Sequence, residues 1–139
     1  MEDFYISTEK ERLNIAKIHR EIKDSYWGDY RTFEMTTATI DHSICFGVYT
    51  HQGEQIGFAR LLTDRVVFAY LMDVMIFDPY KGMGIGKKLM QHIMCHPMVD
   101  GVLTVALKTK DAHGLYEDFG FKSIGDSPVW MAIDNAKLD

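Results

Sequence analysis

Cysteine is scarce: only Cys45 and Cys95 occur among 139 residues. They form no Cys-x-x-Cys pair and belong to no disulfide-rich pattern, which argues against a disulfide scaffold or a zinc ribbon. Both stand among apolar neighbours and read as buried free thiols. Basic charge is short as well, with 15 Lys and Arg against 20 Asp and Glu and a formal net charge of -5. Nothing outside residues 81–88 gathers positive charge, so the composition speaks for no nucleic-acid partner and no anionic membrane partner. No apolar run approaches the roughly 20 residues of a membrane-spanning helix. The stretch Met1-Glu-Asp-Phe-Tyr-Ile-Ser has neither the basic flank nor the apolar core of a secretory signal, and the expectation is a cytoplasmic protein.

What is present fits a single domain over residues 1–139, since this length buries a core without disulfides or metals. There are no repeats, low-complexity segments or evident linkers. A short strand at residues 4–7 precedes a capping box, Thr8-Glu-Lys-Glu11, that opens a helix carrying Leu13, Ile15, Ala16, Ile18 and Ile22 on its apolar side and ending near Lys23. An aromatic loop at residues 24–31 leads to a weaker helix at residues 33–41. Residues 44–50 and 55–63, joined by His51-Gln-Gly53, form a hairpin pattern, and a long strand at residues 66–77 stops at Asp78-Pro79. A helix follows residues 81–86, then a strand at 102–107, a short helix at 111–118, and strands at 121–124 and 129–133. The order β-α-α-β-β-β-α-β-α-β-β implies an α/β fold with a mixed, largely antiparallel sheet flanked by helices.

The segment Lys81-Gly82-Met83-Gly84-Ile85-Gly86-Lys87 places three glycines at alternate positions before a helix. Such a loop brings unpaired main-chain N–H groups and the positive end of a helix dipole to one point, a setting for a phosphate. It is not a P-loop, because three rather than four residues separate Gly82 from Gly86 and Lys88 replaces the metal-binding hydroxyl. It is not a dinucleotide fingerprint either, because Lys87 stands where that motif needs its third glycine. Without a further motif, a solvated glycine turn explains the segment as well.

The segment resembles the Arg/Gln-x-x-Gly-x-Gly/Ala signature of the GNAT (Gcn5-related) N-acetyltransferases, with Lys81 in place of Arg or Gln. A second stretch, Ala112-His-Gly-Leu-Tyr-Glu-Asp-Phe-Gly-Phe121, is similar to the Ala-x-x-x-Tyr-x-x-x-Gly-Phe run of the same family. The resemblance covers nearly the whole chain and is strongest at residues 70–121. It implies an acetyl-coenzyme A-dependent N-acetyltransferase that uses no metal. Residues 81–87 would hold the pyrophosphate, the Val74 backbone would face the acetyl carbonyl, Ile76 would pair with the pantetheine arm, and Thr109 stands where relatives often place Asn. Tyr116 would protonate the departing thiolate, a task suited to a phenol that is neutral at pH 7.

Strand alternation puts Tyr70, Met72, Val74 and Ile76 on one face unless a bulge intervenes. No general base stands at Tyr70 or Met72; Tyr70 is instead a candidate for positioning a water. Asp73 is the nearest carboxylate to serve as a base, but the alternation points it away, and a buried partner or a strand-splitting hydrogen bond suits it at least as well; Asp111 reads as an N-cap rather than a catalytic base. Trp27, Tyr30 and Arg31 are candidate acceptor-site residues, Arg31 for a carboxylate on the substrate; the aromatics equally suit a cover for the core edge. His92 and His96 share a helix face near Cys95 but lack further ligands, and read as a helix-end feature. The expected acceptor is a small-molecule amine. A non-catalytic acyl-coenzyme A sensor and a protein or peptide N-acetyltransferase remain alternatives, and the resemblance also implies a possible homodimer formed through the last strands.

Overall fold

A computed structural model describes residues 3–136. Strands β1 (Phe4–Ser7), β2 (Ile44–Thr50), β3 (Gln55–Thr63), β4 (Phe68–Ile76) and β5 (Thr104–Leu107) lie in that order in one sheet, flanked by α1 (Ile15–Lys23), α2 (Phe33–Asp41), α3 (Ile85–Met94) and α4 (His113–Glu117). The first four strands are antiparallel, and β5 runs parallel to β4. The hairpin occupies the residues its β-branched and aromatic composition predicts, and the Gly53 N–H closes its turn on the Thr50 carbonyl at 2.9 Å.

Each face of the sheet has its own core. On one side Leu89, Met90 and Ile93 of α3 and Tyr116 of α4 pack against Phe46, Val48, Leu61 and Leu71. On the other, Ile18 and Ile22, one helical turn apart on α1, join Ile40 of α2 against Cys45, Phe58 and Phe77. Fully burying such side chains contributes on the order of 1.5–3 kcal/mol each, so these two clusters hold the layers together.

Three expectations need correction. Thr8 does not open α1: Lys10–Arg12 form a single 3-10 turn, Leu13 is extended, and Asn14 caps α1 by accepting the Lys17 N–H at 3.1 Å. Asn14 stands directly before the residues whose orphan donors need an acceptor, whereas Thr8 lies too far upstream. The strands expected at residues 121–124 and 129–133 are not formed among the described residues. The Ser127 N–H closes a turn on the Ile124 carbonyl at 2.9 Å, and Val129, Met131 and Ile133 are 79%, 93% and 96% exposed. A strand without a partner or a buried face does not offset its ordering entropy.

The third correction bears on the site. Arg60 is level with Met72 and Phe58 with Met75, so β4 carries one extra residue, and Asp73 adopts φ 54°. This bulge reverses the alternation: Val74 and Ile76 turn toward the α3 and α4 core alongside Ala69 and Leu71, while Tyr70 and Met72 keep the opposite face.

Candidate active site

Just before the bulge, β4 and β5 part. Their parallel ladder runs from Phe68 with Thr104 to Leu71 with Leu107 and stops there, and neither Asp73 nor Val74 has a register partner. The result is a cleft between β4 and the edge strand β5, where main chain that would otherwise be paired faces open space.

The glycine loop stands at one end of this cleft. Gly82 and Gly84 have φ 78° and 81°, a left-handed conformation that glycine adopts without strain, and Gly84 is the N-cap of the ten-residue α3. A Cβ at Gly82 or Gly84 would meet nothing within 4 Å, whereas one at Gly86 would lie 3.8 Å from Ile76 Cγ1, so the loop abuts the end of β4 and is otherwise open. The first-turn N–H groups of α3 have no intrahelical acceptor and point into that opening, a setting that suits a diphosphate. Lys81, Lys87 and Met83 are exposed around it, and Lys81 reaches Asp78 at 3.6 Å.

Tyr116 projects from α4 into the cleft. The helix ends as the motif predicts: Gly120 adopts φ 93°, and the Phe121 N–H returns to the Tyr116 carbonyl at 3.3 Å. The ring packs edge-on to Phe121, with centroids 5.9 Å apart, and the side chain lines the cleft. Burial, and then the negative charge of Asp111, push the phenol above its ordinary pKa, so it is a neutral proton donor at physiological pH. Asp111 is not the N-cap of α4. That position is Ala112, whose N–H is held by the Thr109 hydroxyl at 3.0 Å, which leaves the Thr109 proton free to donate.

On the opposite wall the Asp73 carboxylate accepts both Nη atoms of Arg31, at 2.6 and 2.8 Å, and Nε of Arg60 at 2.7 Å. Arg60 Nη1 donates to the Ser43 hydroxyl at 3.2 Å, and Arg31 lies over the Trp27 ring with its carbon 5.5 Å from the centroid. The three charged side chains are 9%, 7% and 2% exposed for Arg31, Arg60 and Asp73. Arg31 is therefore tied to the protein's own carboxylate rather than free in the loop. Nothing in its local sequence shows this; the available signal was two opposite charges, Arg60 and Asp73, each in the middle of an apolar strand.

A cavity of about 320 Å3 joins these walls. Trp27, Tyr30, Arg31, Tyr70, Val74, Thr109 and Tyr116, all candidates from the sequence, line it, together with Arg60, Asp73 and Asp111, which sequence patterns did not assign to a substrate. Ile76 and residues 81–87 lie on the loop side instead. A larger cavity of about 730 Å3 flanks β5, lined by Val105, Phe121 and Trp130 among others. The smaller one holds the convergent polar groups and is the better candidate for chemistry.

Other candidates fall away from the cleft. His92 and His96 flank Phe46 edge-on, at 6.0 and 5.5 Å between centroids, and no group of three or more metal-ligating side chains is assembled among the described residues. Cys45 is buried, its thiol pushed up to about 11 chiefly by burial, but Cys95 at the end of α3 is exposed, contrary to expectation. No helix among the described residues is long and apolar enough to cross a membrane.

A sequence model of the acetyltransferase (GNAT) domain matches residues 41–123, more than half of the chain and the part that builds the cleft. The chain belongs to the GNAT acetyltransferase family. A Xanthomonas campestris protein provisionally assigned to the GNAT family is 36% identical, with a TM-score of 0.87 and coverage of 96% of this chain and 95% of its own. A Staphylococcus aureus protein of unknown function shares the fold at 20% identity, with a TM-score of 0.74 and coverage of 94% and 98%. A Gibberella zeae protein provisionally named an acetyltransferase is 27% identical over 108 residues, 64% of this chain. That alignment spans 61% of the Gibberella protein's length. The family's acyl donor is acetyl-coenzyme A, and the open loop before α3 fits its diphosphate.

Asp73→Asn keeps the shape and tolerates positive φ but leaves two buried guanidinium groups without a counter-charge. Chemical denaturation should show a loss of about 3–5 kcal/mol, against under about 1 kcal/mol for a change at the exposed Lys81–Asp78 pair.

Proposed function

We propose that this chain transfers an acetyl group from acetyl-coenzyme A directly to a primary amine of a small molecule. The carrying observation is the parted β4 and β5 with the α3 N-terminus at one end and the Tyr116 side chain on the cavity wall. A diphosphate on residues 82–87, with Lys81, Lys87 and Thr109 alongside, leads the thioester past Ile76 toward Val74, whose N–H steadies charge on the carbonyl oxygen. The amine nitrogen forms a bond to the acetyl carbon, the carbon–sulfur bond breaks, and Tyr116 gives its proton to sulfur. The amine's excess proton leaves to water, and one returns from solvent to the phenolate.

Tyr70, Trp27, Tyr30 and Arg31 form the acceptor side of the cleft in this reading. A cavity of about 320 Å3 suits a small acceptor better than a peptide tail. Neither thiol competes as a nucleophile, since Cys45 is buried and Cys95 lies off the cleft. An exposed thiol also suits the reducing cytoplasm.

Tyr116→Phe tests the assignment. Thiol release with a panel of amines should fall about 100-fold or more in kcat, while coenzyme A affinity changes little. In the wild-type enzyme the limb due to Tyr116 should appear only above about pH 10, since the raised pKa keeps the phenol protonated up to that point. A variant that releases thiol at the wild-type rate would remove the acid role, and cofactor binding with no amine acetylated would favour a sensor.

We also propose that residues 129–133 pair with the free edge of β5 in a second copy, where Val129, Met131 and Ile133 would fill the larger cavity. Light scattering after size exclusion should then give a dimer for the wild type and a monomer for Met131→Asp. A monomeric wild type at high concentration excludes this arrangement.

A further inference from the structure

The acceptor cavity is electrically two-ended. At one end two guanidinium charges face a single carboxylate, which leaves one buried positive charge uncompensated. Asp73 already accepts three charged hydrogen bonds from Arg31 and Arg60, and the two guanidinium charges around it disfavour a substrate ammonium there. Arg60 Nη2 has no acceptor among the described residues and belongs to a side chain that lines the cavity. At the other end, on the segment between β5 and α4, Asp111 lines the same cavity without an ion-pair partner among the described residues, while neighbouring Lys108 is bonded to Asp134. Asp111 sits near enough to Tyr116 for its charge to act on the phenol.

We infer that the acceptor is a small zwitterion, a free amino acid or close analogue, with its carboxylate at Arg31 and Arg60 and its amine beside Asp111 and Tyr116. A single carboxylate matches the single excess charge, and its planar pair of oxygens suits guanidinium donors. A phosphate dianion would overcompensate the cluster, and a polyamine would carry a second cation against it. Trp27, under Arg31, closes that end of the cavity with an apolar wall. The amine's placement rests on the acetyl-transfer reading above; the carboxylate's rests on the buried cluster alone.

The test is equilibrium binding by calorimetry to the chain saturated with coenzyme A. The ligands are the common amino acids, each paired with its own carboxamide, plus glucosamine 6-phosphate as the phosphate-bearing arm. At least one amino acid should bind about tenfold or more tightly than its carboxamide, and a folded Arg60→Met variant should bring that ratio near one. If Arg60→Met does not fold, the wild-type ratio decides by itself. Equal binding of every acid and carboxamide, or a phosphate arm tighter than every amino acid, overturns the inference. Binding of an amino acid without thiol release would count against acetyl transfer and leave the carboxylate site standing. Acetylation of amines with no preference for the acid would do the reverse.

Discussion

The Asp73 carboxylate, held by two guanidinium groups, is the constraint on which the shape of the cleft depends. Its left-handed backbone is strained by about 1–2 kcal/mol for a residue with a side chain. Hydrogen bonds to charged groups contribute about 1.5–3 kcal/mol each, and Asp73 accepts three, from the α1–α2 connection and from β3. The bonds outweigh the strain, and the bulge persists. Because it persists, Val74 and Ile76 turn into the α3 and α4 core, and the ladder to β5 stops at Leu71. One ion cluster thus ties the acceptor wall to the strand that would face the thioester.

The other end of the cleft is built from main chain rather than charge. Lys81 and its partner Asp78 are largely exposed, and an exposed pair of this kind contributes little. The orphan N–H groups of α3 are fixed in direction by the helix, and only glycine reaches the turn at residues 82 and 84 without strain. A lysine at position 81, in place of the family's Arg or Gln, therefore alters an electrostatic fringe and leaves the directional donors intact.

Local signals carried most of the fold. The hairpin, α2 and the start of α3 follow from turn residues, β-branched runs and glycine spacing, each of which acts within a few residues. Tyr116 was legible because Gly120 and Phe121 fix the end of its helix from nearby. The bulge was not, because Arg31 and Arg60 reach Asp73 from 42 and 13 positions away in the chain. The unformed last strands have a similar cause: residues 129–133 have the alternation of a strand, but alternation needs a neighbouring edge to become one. Thr8 and Asn14 are both residue types that cap helices, but only Asn14, which the sequence reading passed over, stands next to an unsatisfied donor.

On the proposed reading, the same cluster bears on the lack of a basic residue in β4. An alkyl ammonium with a pKa near that of lysine, about 10.4, is only about one part in a thousand neutral at physiological pH. A buried positive charge close by disfavours the ammonium and shifts that balance toward the nucleophilic amine. Asp111 acts in the opposite sense, but it is exposed and its field is screened, whereas the Arg31 and Arg60 charges lie almost wholly out of water. That charge acts on the incoming ammonium only until the acceptor's carboxylate reaches Arg31 and Arg60 and cancels it, while Asp111 attracts the ammonium at the rim. Once the acceptor is bound, its amine loses its proton to water, and the guanidinium pair serves to hold the carboxylate and so to aim the amine rather than to lower its pKa.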